Sequence, residues 1–76
     1  MRDIALRSVE IRLGQLLKFA GVADSGGEAK ELLAAGRVRV NGEPEQRRGR
    51  SLVPGDVVAV EGEELRLVGP QSADGP

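Results

Sequence analysis

The stretch Val38-Arg39-Val40-Asn41-Gly42, entered from Gly36, limits what this chain can fold into more than any other. Alternation of Val38 and Val40 with Arg37 and Arg39 asks for a strand with one face buried and one in water. Asn-Gly accepts positive φ at two successive positions, as a two-residue hairpin turn requires. A glycine just upstream is a common way to end a helix in a left-handed residue. Seven residues therefore dictate a helix stop, a strand and a tight turn. Beyond the turn, Glu43 to Arg50 has no apolar residue except Pro44. Proline excludes a central strand, so this segment must be an edge strand or a loop.

Upstream, the spacing predicts two helices. In EIRLGQLLKFAGV (10–22), Leu13, Leu16, Leu17 and Ala20 make one apolar stripe. Ser8 is the predicted N-cap and Gly21 the stop. Gly14 costs about 1 kcal/mol against alanine inside a helix, which marks a close approach of backbones. Phe19 lies beside the stripe and reads as core. In DSGGEAKELLAAG, Ser25 and Glu28 have capping-box spacing, Ala29, Leu32 and Leu33 form the stripe, and Gly36 ends it. Gly26-Gly27 leaves the backbone N–H groups of the first turn uncovered, a geometry that binds anions.

The remaining segments are short strands. RDIALR (2–7) puts Ile4 and Leu6 on one side, VPGD is a turn, and VVAV and ELRLV are joined by EGEE. The order strand, helix, helix, strand, edge strand or loop, strand, strand predicts an α+β domain, with two helices packed on a small, mainly antiparallel sheet. One domain over residues 1–69 is expected, with a disordered polar tail at 70–76.

Composition narrows the function. The 76 residues contain no cysteine, histidine, tryptophan or tyrosine. A chain this short buries only about 60% of its unfolded surface, and without disulfides or the usual zinc ligands it must rely on packed aliphatics. Most nucleophiles and general bases are absent, the serines have no base near them, and no GxSxG or phosphate-loop motif occurs. A non-enzyme without cofactor, metal or small-molecule substrate is the expectation. The opening MRDIALRSVEIRLG is broken by charges and does not resemble a signal peptide. No apolar run reaches the ~18 residues of a membrane span. A soluble cytoplasmic protein with no membrane partner is expected.

Formal net charge is −1, yet Arg37 to Arg50 carries net +3 and Ser51 to Pro76 net −4. Such asymmetry predicts one positive and one negative face. Arginine is the better bidentate phosphate ligand, and the hairpin is expected to bring Arg37 and Arg39 near Arg47, Arg48 and Arg50, with Lys30 close by. With Phe19 assigned to the core, nucleic acid would be read through phosphates and shape rather than stacked bases, a mode that suits structured or double-stranded RNA.

The segment ADSGGEAKELLAAGRVRVNGE resembles the core of the S-four (alpha-L) RNA-binding domain, first described in the fourth small-subunit ribosomal protein. Ser25, Ala29, Leu32, Leu33, Gly36, Val38, Val40, Asn41 and Gly42 match the pattern in order. Leu13, Leu16, Leu17 and Gly21 match upstream, and Pro54-Gly55-Asp56-Val57-Val58 downstream. SGGEAK and EQRRGRSLVPGD are similar to the short stand-alone bacterial members. Many S-four domains carry an RNA-contacting arginine where this chain has Gly26. The resemblance implies non-catalytic binding of structured RNA, such as ribosomal RNA. The expected contacts are Ser25, Gly26, Gly27, Lys30, Arg37, Arg39, Asn41, Gly42, Arg47, Arg48 and Arg50. The competing class is a protein–protein interaction module that docks through its charged surfaces without RNA.

Overall fold

The computed structural model describes residues 1–69; the expected tail at 70–76 lies outside the described residues. Two helices cover one face of a five-stranded sheet. The elements are β1 (Arg2–Ala5), β2 (Ile11–Arg12), α1 (Leu13–Phe19), α2 (Gly26–Ala34), β3 (Val38–Val40), β4 (Glu43–Pro44), β5 (Ser51–Leu52), β6 (Val57–Val60) and β7 (Glu63–Val68). Strand order in the larger sheet is β1-β7-β6-β3-β4, and β2 pairs with β5 in a separate two-stranded sheet. Pairing is antiparallel throughout except β1 with β7, which is parallel. The α+β architecture is the one the residue pattern predicts.

The core follows from alternation. Ile4, Val38, Val40, Val58, Val60, Leu65 and Leu67 point inward from the sheet, and Leu13, Leu16, Leu17, Ala29 and Leu33 meet them from the helices in one cluster. Leu32 is only partly buried at its margin. The Asn41-Gly42 turn has φ of 52° and 87°, the two positive values of a type I′ hairpin, and sets the register Val40↔Glu43 and Arg39↔Pro44. Pro44 sits on the outermost strand, where no ladder N–H is needed. Gly21 and Gly36 end their helices with φ of 79° and 74°.

Three local expectations fail. Helix α1 begins at Leu13, later than the periodicity predicts, because Ile11-Arg12 is taken up by pairing with Ser51-Leu52. Ser8 is therefore no N-cap; its hydroxyl donates to the Glu10 carbonyl at 2.7 Å. Phe19 is not core but 49% exposed, since Leu13, Leu16, Leu17 and Ala20 already fill the inward face of α1. At α2 the Ser25 hydroxyl accepts the Glu28 N–H at 3.1 Å. The Glu28 carboxylate reaches one residue beyond the usual capping-box target and accepts the Asp24 N–H at 2.6 Å.

Candidate nucleic-acid interface

The loop Glu45–Arg50 is the centre of the site, and a buried carboxylate shapes it. Glu45 is 7% exposed. One carboxylate oxygen accepts the Arg47 backbone N–H and Nε, both at 3.0 Å; the other accepts Arg50 Nη1 at 2.9 Å and Arg47 Nη2 at 3.3 Å. These donors favour the ionised form. The Arg47 side-chain hydrogen bonds, above all, lower the Glu45 pKa to about 2, aided by its backbone N–H and by Arg50. The same pairing raises the Arg47 pKa. Two of the three loop arginines are thus engaged in holding the loop. Arg48 points elsewhere and has no carboxylate partner among the described residues.

Backbone bonds fix this loop to α1. Leu13 N–H donates to the Arg50 carbonyl and Gly14 N–H to the Arg48 carbonyl, both at 2.9 Å; Arg12 Nη1 donates to the Gly49 carbonyl at 2.9 Å. Two of the N–H donors that a helix start leaves unpaired, those of Leu13 and Gly14, are here taken by the loop. Gly14 allows the approach: a Cβ there would lie 3.2 Å from the Arg48 Cβ and 3.4 Å from its carbonyl oxygen. The close contact expected at Gly14 is real, and its partner is the arginine loop.

The result is a groove of about 330 Å³ between the first turns of α1 and α2 and the loop. Arg12, Lys18 and Arg48 supply its charge, Gln15 a polar rim, and Gly14, Gly26, Ala29 and Gly49 a floor of small residues. No carboxylate among the described residues lines it. Gly26 has nothing within 4 Å of where a Cβ would stand, and Gly27 meets only the Ser25 hydroxyl, at 3.8 Å. The start of α2 is therefore open where that of α1 is closed. Arg48 also borders a second groove of about 360 Å³ with Lys30, Leu33, Ala34 and Gln46, so a single side chain links the two.

The expected contacts divide. Ser25, Gly26, Gly27, Lys30 and Arg48 lie on the helical side, around these grooves. Arg37 and Arg39 do not join them. They alternate with the buried Val38 and Val40, so they project from the opposite face of the sheet. There Arg37 pairs with Glu61 at 2.9 Å, and both arginines border the acidic β6–β7 turn with Glu63 and Glu64. The hairpin cannot gather all five arginines, because strand alternation and the loop's return over α1 send them to opposite faces. Asn41 is also occupied: its side-chain N–H donates to Asp56 at 3.1 Å, and its side-chain oxygen accepts the Val57 N–H at 2.9 Å. With Gly42 it builds the turn.

Arg12, Gln15 and Lys18 were not among the expected contacts. The signal for them is the charge of the α1 segment: between Glu10 and Asp24 every charged residue is basic.

Comparison with known proteins places this geometry among relatives. The S4 domain family model matches residues 4–68. A probable ribosome maturation protein, RlbA of Bacillus subtilis, is 52% identical over 59 residues, which cover 78% of this chain and 83% of RlbA. The small ribosomal subunit protein uS4m of Schizosaccharomyces pombe is 43% identical over 53 residues, 70% of this chain but only 16% of that protein. The solution structure of YbcJ from Escherichia coli, described as revealing an alpha-L motif involved in RNA-binding, superimposes with a TM-score of 0.65. It is 34% identical, and the match covers 90% of this chain and 87% of YbcJ.

Proposed function

This chain belongs to the S4 domain family, and from that premise we propose that it is a non-catalytic RNA-binding protein whose groove between α1, α2 and the Glu45–Arg50 loop receives the phosphate backbone of structured RNA. The observation that carries the reading is the groove itself, with three cations, the open N-terminus of α2 and no carboxylate among the described residues. Helix N-termini and arginines both favour anions. Lys18 and Arg48 contact phosphates from the two sides, Lys30 extends the track along α2, and Gly26 with Gly27 lets a phosphate reach the backbone N–H groups. Ser25 caps the helix that presents them. Glu45, Arg47 and Arg50 hold Arg48 in place, and Asn41 with Gly42 fixes the hairpin from which the loop springs.

A protein that reads phosphates needs no catalytic group and acts wherever structured RNA is found, here the cytoplasm. No helix among the described residues is long and apolar enough to cross a membrane. The name of RlbA supports ribosomal RNA as the first RNA to test. Residues 1–69 act as the single binding domain.

The test is binding of a fluorescent RNA hairpin, measured by anisotropy across a salt series. Wild-type affinity should fall steeply with salt, each phosphate contact adding ~0.7–0.9 to the logarithmic slope. Lys18→Glu combined with Arg48→Glu removes two contacts of about 1.5 kcal/mol each, a loss of roughly 100-fold, with the melting temperature unchanged. Equal binding by wild type and the double variant, or capture of a stoichiometric protein partner with no RNA bound at low salt, would overturn the reading.

A further inference from the structure

Phe19 is the only aromatic residue in the chain, and it stands 49% exposed on a helix whose leucines are fully buried. Single exposed apolar residues are ordinary on protein surfaces, but this one has company. Ile11, Gln15 and Phe19, spaced by four, border a cleft of about 340 Å³ that Leu6 and Arg7 also line. Helical spacing puts Gly14 and Lys18 in the neighbouring column, and that column faces the basic groove. Gln15 borders both cavities. An apolar cleft and a cationic groove therefore lie side by side along α1 with one residue at the ridge.

Two side chains of the cleft, Gln15 and Arg7, can donate. The Gln15 amide oxygen accepts the Arg12 N–H at 3.2 Å, which leaves its NH2 group to donate. Arg7 has no carboxylate partner among the described residues. The one acid on the rim, Glu10, accepts the Ser51 hydroxyl at 2.5 Å through one of its two oxygens.

We propose that this cleft receives one unpaired base of the RNA whose backbone occupies the basic groove, stacked against the Phe19 ring. The inference rests on the groove reading and adds to it. A nucleobase has flat apolar faces and a polar edge on which every base carries hydrogen-bond acceptors. Phe19, Leu6 and Ile11 suit the faces; the Gln15 amide and the Arg7 guanidinium suit the edge or the adjoining phosphate. A base inside a helix cannot reach such a cleft, whereas one in a bulge or an overhang can. The preferred ligand is then a duplex with an unpaired nucleotide, not a perfect duplex.

The experiment compares a blunt RNA duplex with the same duplex carrying a single-nucleotide bulge of 2-aminopurine. Base–aromatic stacking is typically worth enough for about a tenfold gain, so wild type should bind the bulged RNA about tenfold tighter and quench the 2-aminopurine. Phe19→Leu, which keeps an apolar side chain, should lose the preference and the quenching while its affinity for the blunt duplex is unchanged. Phe19→Trp should retain both. Equal affinity of wild type for the two RNAs, or a preference that survives Phe19→Leu, overturns the stacking proposal while salt-sensitive duplex binding keeps the groove reading intact. Failure to bind either RNA overturns both. Sedimentation that shows the wild-type protein dimerising and the Phe19→Leu protein monomeric would make the cleft a contact between copies and also overturn it.

Discussion

Glu45 shows how a carboxylate can serve a cation-rich site. A carboxylate this little exposed would be destabilising without partners, but four donors from Arg47 and Arg50 surround it. Its pKa of about 2 lies below the ordinary 4.5. The folded protein therefore refuses a proton that the unfolded chain accepts, and this contribution to stability is complete above about pH 4.5 and lost as pH falls toward 2. The melting temperature of wild type should decline through that window. Glu45→Gln should melt lower than wild type at neutral pH and decline less in acid, as read by circular dichroism from neutral pH to about pH 2. Reversing Arg47, Arg48 and Arg50 together is a poor probe of binding, because two of the three hold this carboxylate. Asn41 is decisive in another way. Asn41→Ala removes two hydrogen bonds of about 1 kcal/mol each and forces alanine to positive φ at roughly 1 kcal/mol more. A domain of this size should lose ~12–24 °C in melting temperature. Asn41→Gly, which is at ease with positive φ, should recover about a third of that loss.

At the level of elements, legibility followed locality. The Val-x-Val-Asn-Gly hairpin, the glycine stops at Gly21 and Gly36, and the Ser25 cap rest on contacts within a few residues, and each could be read from the sequence. The first helix was over-extended because Ile11-Arg12 continues its periodicity while pairing with Ser51-Leu52, some forty residues away. The parallel β1–β7 edge is equally non-local. Phe19 was misassigned for a related reason: proximity to an apolar stripe does not say whether the stripe is already full. The tie between α1 and the arginine loop was half legible, since Gly14 announced a close neighbour without naming Arg48. Gly14→Ala gains about 1 kcal/mol of helix propensity and spends it pushing a Cβ against Arg48. Stability should change by less than about 1 kcal/mol in chemical denaturation, while RNA affinity falls several-fold as Arg48 is displaced.

For the whole molecule, the slightly negative net charge conceals a division by face. On the uncovered side of the sheet and at its edges, three arginines pair with acids, Arg2 with Glu63, Arg37 with Glu61 and Arg66 with Asp3, and Arg39 borders Glu63 and Glu64 without an ion pair among the described residues. Arg12, Lys18, Lys30 and Arg48 have no carboxylate partner among the described residues, and these gather on the helical side. Charge counts along the chain predict two faces, and the hairpin is expected to group Arg37 and Arg39 with Arg48; they lie on the opposite face of the sheet, because linear order does not report which way a strand's side chains point. The central claim is that RNA lies on the helical face. Titrating the 15N-labelled protein with a structured RNA hairpin and following its amide resonances tests this directly. The account predicts shifts concentrated at Gly14, Gly26, Gly27, Arg48 and Gly49, with Arg37, Arg39 and Glu61 to Glu64 unmoved. Shifts concentrated instead on the sheet face around Arg37, Arg39 and Glu64 would contradict it.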